Sequence, residues 1–259
     1  MNIPRLIAHR GYAKNYPENT LIALEMALQA GACAVEFDVQ LTRDGVPVLC
    51  HDDTLERTAD TEGDVSAMTW RQLQNISVHE SARFGKRFEP TPIPALAEIA
   101  VLLQRYPRAT ACVEIKEESL RAFGTEVVVK AVLDALQVVM PQCVVISFDE
   151  AALRAARAVQ PQVAIGWVLP RWDEKARATA RALAPQYLFC DQKILPAQGV
   201  LWPGKWQWAI YEITDPELAL SLAQRGIDWI ETMVIVEMLQ HPQLRQRACF
   251  ADHSWGNAD

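Results

Sequence analysis

Short apolar runs recur along the chain, most of them followed by a stretch in which apolar residues fall three and four positions apart. Leu6, Ile7 and Ala8 form the first run. Behind it Leu21, Leu24, Ala27 and Leu28 share one face of a helix, for which Asn19 or Thr20 is the expected N-cap and Gly31 the stop. Residues 34–42 alternate as a strand. The next segment, Thr42-Arg43-Asp44-Gly45, has turn chemistry and no room for a crossover helix, so residues 46–50 are expected to run back antiparallel along 39–42. Residues 54–92 are polar and loop-rich, with Gly63, Gly85, Pro90 and Pro92 and one short helical piece at 69–73. Regular alternation then resumes. The pattern predicts helices at 95–104, 120–138, 150–159, 174–183 and 216–224, and strands at 110–115, 143–147, 163–168, 187–190, 207–211 and 227–231. A loop containing Gly199, Pro203 and Gly204 separates the strands at 187 and 207, and the tail from residue 240 is polar.

Eight strand starts, most of them followed by a helix, predict an α/β chain folded as a (β/α)8 TIM barrel. It is expected to form a single domain over 1–259, with a small insertion at about 54–92 after the hairpin of the second strand. That insertion would pass over one face of the core as a candidate lid. A doubly wound open sheet is the competing architecture, but no Gly-x-Gly-x-x-Gly follows the first strand. In a barrel of this kind the chemistry lies at the C-terminal ends of the strands, where His9, Glu36, Asp38, Glu114 and Ser147 all fall.

Composition narrows the function. Half of the 259 residues are apolar, enough for one large core. A formal net charge of -7 without long basic runs argues against nucleic acid and against acidic membrane surfaces as partners. An anionic small molecule remains compatible, because cations fixed in a cleft outweigh a surface charge that salt screens beyond ~8 Å. The six cysteines include no Cys-x-x-Cys pair, and five flank or lie in apolar runs, which reads as buried free thiols in a reducing compartment and disfavours zinc. With no signal-peptide h-region at the N-terminus and no stretch of ~18 apolar residues, the expectation is a soluble cytoplasmic protein. Apolar outer helices leave a homodimer open.

Period-2 alternation puts Glu36 and Asp38 on one face of their strand, and Glu114 and Lys116 on one face of theirs. Counting back along the hairpin brings His51 level with Asp38. Three carboxylates on one rim would repel one another, which a hard divalent cation, Mg²⁺ or Ca²⁺, would relieve through oxygen ligands. The alternative is a salt-bridge network with Arg10 and Lys116. His9 and His51 beside this cluster suit a general acid and a general base, while Arg10 and Lys116 suit a phosphate. Structural roles are expected for His79, His241 and His253, and loop anchoring and capping for Glu18 and Asn19. Cation, imidazoles and fixed positive charges together describe phosphoryl transfer on a phosphodiester.

These residues carry a resemblance. His9-Arg10-Gly11, Pro17-Glu18-Asn19-Thr20, Glu36-Phe37-Asp38-Val39, Thr42-Arg43-Asp44-Gly45-Val46-Pro47-Val48, His51-Asp52 and Glu114-Ile115-Lys116 resemble, in order and spacing, the signature of the glycerophosphodiester phosphodiesterase family, bacterial cytoplasmic type. The resemblance implies a (β/α)8 barrel with an insertion after His51-Asp52, and a divalent metal at Glu36, Asp38 and Glu114. It also implies His9 as base, His51 as acid, and the products glycerol 3-phosphate and an alcohol such as choline or ethanolamine. Two other readings of such a site are a lysophospholipase D-type activity on lysophospholipids and a non-catalytic phosphodiester sensor. The C-terminal third departs from the family pattern: Trp208-Ala209-Ile210-Tyr211 stands for Trp-Thr-Val-Asn, and Thr232-Met233 for Thr-Asp. Trp202, Trp206 and Trp208 are candidates for the wall around the glycerol or alcohol group, or for caps on the barrel.

Overall fold

The computed structural model describes residues 2–249, so His253 lies outside the described residues. Nine strands form: β1 (Arg5–His9), β2 (Ala34–Leu41), β3 (Pro47–Leu49), β4 (Thr110–Ile115), β5 (Cys143–Ser147), β6 (Ala164–Val168), β7 (Tyr187–Asp191), β8 (Gln207–Tyr211) and β9 (Trp229–Thr232). Eight of them run parallel in the order β1, β9, β8, β7, β6, β5, β4, β2, and pairing of β1 with β2 closes the ring into a (β/α)8 barrel. One side of each strand fills the barrel interior with Ile7, Ala34, Cys112, Val144, Ile146, Val168, Phe189, Ala209 and Trp229. The other side packs against the helices in a larger core. This two-sided burial is why the strands read as nearly continuous apolar runs.

On β2 the pairing changes partway along. Ile7, Ala8 and His9 of β1 pair with Ala34, Val35 and Glu36. Past Glu36, β3 takes over that edge, antiparallel, with Val39 opposite Leu49 and Leu41 opposite Pro47. The expected hairpin thus caps the point where β1 ends.

Helix α1 (Leu21–Gln29) is N-capped by Thr20, whose side chain accepts a hydrogen bond from the Ala23 amide. The insertion is more ordered than its loop-like composition suggests. It holds α2 (Glu56–Ala59), α3 (Trp70–Leu73), α4 (Ser81–Phe84) and a 3₁₀ turn at Val65–Ala67, around a small core of its own that includes Leu55, Val65, Leu73 and Ile93. After α5 (Leu96–Gln104), the single helix expected at 120–138 is two, α6 (Glu117–Phe123) and α7 (Thr125–Leu136), followed by a 3₁₀ turn at Gln137–Gln142. The break falls at Gly124, whose φ of 83° no continuing helix accepts. Helices α8 (Glu150–Val159), α9 (Glu174–Leu183) and α10 (Pro216–Gln224) start at the aspartate N-caps Asp149, Asp173 and Asp215. Two further helices, α11 (Ile235–Gln240) and α12 (Pro242–Arg245), close the described chain.

Between β7 and β8 the expected loop stands where a barrel helix would, and the tryptophans fill the space that a helix would take. Trp172 lies against Trp202 at 4.3 Å and against Trp208 at 5.4 Å between ring centroids, and Trp206 meets Trp208 edge-on. Trp202 and Trp208 belong to the core outside the barrel, so these rings do not wall the interior mouth. One expectation is corrected here: Cys33 is not a free thiol. It is disulfide-bonded to Cys249, because the chain after α12 returns beneath the barrel and the Cys249 amide donates to the Gly31 carbonyl. The other four cysteines are free and buried. No helix among the described residues is long and apolar enough to cross a membrane.

Gly166 on β6 makes room inside the barrel. A Cβ there would lie 2.8 Å from both Ile146 Cγ2 and Phe189 Cε2. Gly166→Val is expected to lower stability by about 1–3 kcal/mol through overpacking, seen as a fall in Tm of roughly 2–4 °C per kcal/mol for a chain near this size. A Tm equal to that of the unaltered protein would show that the interior layer yields freely.

Candidate active site

The C-terminal ends of the strands converge on a cavity of about 120 Å³, whose lining includes the polar His9, Arg10, Asp38, His51, Glu114 and Lys116 and the apolar Ile146, Phe148, Val168 and Phe189. Glu36 lies at its floor, 1% exposed. Seven of the eight polar residues expected from the sequence therefore meet at one place, and Ser147 does not. Its hydroxyl donates to the Ile115 carbonyl at 2.9 Å and accepts from the Asp149 amide, which makes it a strand-to-strand tie.

Backbone geometry explains the convergence. β1 ends at His9, and the chain turns sharply through Arg10 (φ 53°) and Gly11 (φ 81°). A Cβ on Gly11 would fall 2.5 Å from the Ala23 carbonyl carbon, so only glycine lets the turn sit on α1. The turn brings the Arg10 amide to Glu36 Oε2 (3.1 Å) and its guanidinium over the rim, with Nη1 on Glu18 Oε1 (2.9 Å) and Nε 3.2 Å from Asp38 Oδ2. On β2, period-2 alternation stands Glu36, Asp38 and Gln40 in one inward row. In the parallel register Asp38 is the neighbour of Glu114. Lys116 Nζ bridges them, 3.1 Å from Glu114 Oε1 and 3.3 Å from Asp38 Oδ1. The salt-bridge network considered from the sequence is thus present, and it includes the carboxylates expected to hold a metal.

Several residues do more than the sequence indicated. Asn19 clamps Asp38 at two points: its Nδ2 donates to Asp38 Oδ2 (2.9 Å) and its Oδ1 accepts from the Asp38 amide (3.1 Å). Glu18 accepts from Arg10 and also from Arg57, with Nη2 to Oε1 at 2.6 Å and Nη1 to Oε2 at 3.0 Å. Arg57 continues to Asp52, which meets His51 Nδ1 at 2.6 Å. An ion-pair chain therefore links the two ends of the cavity. Gln40 donates to the carbonyls of Cys50 and Asp52 and so fixes the loop that carries His51. His79 and His241 lie away from the cavity, beside Asp60 and Glu217.

Two carboxyl groups were missed. Glu231 on β9 brings Oε1 to 3.5 Å from His9 Nε2, and Glu212, just after β8, brings Oε1 to 3.1 Å from His9 Nδ1. Glu231 had the same signal as Glu36 and Glu114, an acid at the end of an apolar strand. Glu212 had none, since it follows its strand in a loop.

Crowding of carboxyls sets the electrostatics. Burial raises Glu36 well above the usual carboxylate range, and Asp38, Glu231 and Glu114 add to the rise. Burial likewise pushes Glu231 up to about 7 against the pull of His9, and raises Glu114, with Asp38 adding and Lys116 opposing. Asp38 is the exception. Burial works against its ionisation too, but Arg10, Lys116 and His51 together hold it below the ordinary range. For His9, burial alone would favour the neutral ring, yet Glu231 and Glu212 outweigh it and the net shift is upward.

Such a donor set fits a cation. The ligand atoms of Glu36, Asp38 and Glu114 lie within 4.8 Å of one another, as do those of His9, Glu36 and Glu231. Glu36 Oε1, fully buried, has no hydrogen-bond partner among the described residues. The all-carboxylate set of Glu36, Asp38 and Glu114 matches the needs of a hard divalent ion.

Comparison with known proteins agrees with this geometry. Residues 9–230 match the model of the glycerophosphoryl diester phosphodiesterase family. A glycerophosphodiester phosphodiesterase of Caldanaerobacter subterraneus is 32% identical over 188 residues, covering 70% of this chain and 75% of the relative. One from Bacillus altitudinis is 34% identical over 159 residues, 61% of this chain and 64% of the relative, so the match spans just under two thirds of that protein. Among solved structures, an Oleispira antarctica phosphodiesterase in complex with its product sn-glycerol-3-phosphate is 28% identical, covers 92% of this chain and 96% of its own, and superposes with a TM-score of 0.81. The matched segment runs from His9, the last residue of β1, to Ile230 in β9, most of the chain, and the chain belongs to the glycerophosphoryl diester phosphodiesterase family.

Proposed function

We propose that the protein hydrolyses glycerophosphodiesters to glycerol 3-phosphate and an alcohol, with His9 and His51 as general base and general acid. The observation that carries this reading is the single cavity into which both imidazoles, the acidic cluster and two cations open. Its product side draws on the Oleispira antarctica relative, which holds sn-glycerol-3-phosphate.

Glu36, Asp38 and Glu114 would hold the divalent cation, Mg²⁺ or Ca²⁺, which when bound would polarise the phosphoryl oxygens and offset the acidic cluster. Lys116 and Arg10 face the same cavity and supply charge-assisted contacts to phosphate oxygens, each worth on the order of 1.5–3 kcal/mol. Both already share Asp38, so they are held in place before substrate arrives. His9 Nε2 takes the proton of the nucleophile as its oxygen closes on phosphorus. His51 returns a proton to the departing alkoxide, its ring fixed by Asp52 and, through Arg57, by Glu18.

We take a small diester over a lysophospholipid because most of the described residues that line the cavity are charged or ionisable and they include no long apolar groove for an acyl chain. A sensor that only binds would have no need of both imidazoles, and both face the cavity.

Glycerol 3-phosphate release from glycerophosphocholine, followed with a coupled dehydrogenase, tests the assignment. Excess EDTA is expected to abolish release and added Mg²⁺ or Ca²⁺ to restore it; turnover indifferent to EDTA would overturn the cation. His9→Ala and His51→Ala are each expected to lower kcat by roughly 10²-fold or more. Near-normal turnover in both would remove the histidines from the chemistry. The acylated counterpart, lysophosphatidylcholine, is expected to be the poorer substrate in kcat/KM, and a preference for it would reverse the choice of substrate.

A further inference from the structure

His9 and His51 are held differently, and the difference points to a residue outside the family motifs. His51 takes its carboxylate from the next position, Asp52, at Nδ1. His9 has no acidic neighbour in sequence. Its ring is flanked by three carboxyl groups brought in by the fold: Glu36 and Glu231 near Nε2 at 3.7 and 3.5 Å, and Glu212 near Nδ1 at 3.1 Å. Only the Glu212 distance is that of a hydrogen bond. In this structure the Nδ1 contact has the distance but not the angle of a hydrogen bond, so His9 Nδ1 has no hydrogen-bond partner among the described residues; catalytic contacts are often poorly aligned before substrate binds.

Glu212 is built to stay where it is. Its carbonyl accepts from Gln192 Nε2 at 3.1 Å, and the following amide, of Ile213, donates to the Glu231 carbonyl at 3.0 Å. Its carboxyl is half exposed, while the imidazole beside it is only 10% exposed. The contact with His9, ahead of the opposing effect of burial, keeps that carboxyl below the ordinary range and therefore ionised near neutral pH.

We propose that Glu212 is the positioning residue of His9, accepting its Nδ1–H and so fixing the tautomer that leaves the Nε2 lone pair facing the reacting phosphate. The inference rests on the reading of His9 as general base. In the step it serves, the nucleophile's O–H proton passes to Nε2 as its oxygen bonds to phosphorus. The bond from phosphorus to the alcohol oxygen breaks, and that oxygen takes a proton from His51. The Nδ1–H remains throughout on its bond to Glu212, whose negative charge stabilises the imidazolium. Each histidine then has one carboxylate at Nδ1, local for His51 and remote for His9.

A double-mutant cycle on glycerophosphocholine tests this. Glu212→Ala is expected to lower kcat by roughly 10- to 100-fold with KM little changed. Glu212→Gln, whose amide oxygen still accepts from Nδ1–H, should recover most of that loss. In the His9→Ala background, Glu212→Ala should cost nothing further. The ¹⁵N spectrum of the His9 ring should show Nδ1–H with Nε2 unprotonated, and a shift towards the other tautomer in Glu212→Ala. Near-normal turnover of His9→Ala alone would remove the base itself. If His9→Ala is impaired as expected, then equal penalties for Glu212→Ala in both backgrounds, a loss confined to KM, or no rescue by glutamine would overturn the role of Glu212.

Discussion

Mutual repulsion among buried carboxyl groups is the constraint on which the site depends. Glu36, Asp38, Glu114 and Glu231 are packed at the mouth of a barrel whose interior is otherwise apolar, and burial makes every uncompensated charge there expensive. Strand backbones bear that load. Glu36 and Glu114 stand on strands paired on both sides, and Asp38 and Glu231 are each paired to a neighbouring strand, so the backbone holds these groups at the barrel mouth. Arg10 and Lys116 offset part of the charge and hold Asp38 ionised. The remainder is met by protons on Glu36, Glu114 and Glu231, or by a cation.

The two sides of the cavity are held by different means. Around His51 the support is close in the chain: Asp52 on the ring, Gln40 on the loop carbonyls, and Arg57 from the first helix of the insertion. The insertion also reaches the β1–α1 loop, where Glu80 accepts from the Glu18 amide at 2.6 Å. The segment expected to lie over one face therefore braces the rim. Around His9 the support comes from β2, β8 and β9, and it exists only because the ring of strands closes between β9 and β1.

Remote parts of the molecule keep that ring closed in unusual ways. Where the seventh helix would stand, a loop with stacked tryptophans covers β7 and β8 instead, burying large rings where helix side chains would otherwise pack. Below the barrel the Cys33–Cys249 bond joins the start of β2 to the end of the described chain. Neither feature touches the cavity. Both secure strands that do.

Much of this was legible in the sequence, for reasons of periodicity. Alternation alone put Glu36 with Asp38 and Glu114 with Lys116, and the four-residue turn before Val46 dictated the hairpin that brings His51 to Asp38. The spans of α8, α9 and α10 were also readable to the residue, because helical periodicity is a local signal. What the fold alone decided is everything that depends on closure. Glu231 and Glu212 reach His9 across the seam between the last and first strands, Asn19 turns from a capping candidate into a clamp on Asp38, Cys33 meets a cysteine at the far end of the chain, and the tryptophans turn outward. Such contacts join positions distant in sequence through the curvature of a closed sheet, and no local pattern encodes that curvature.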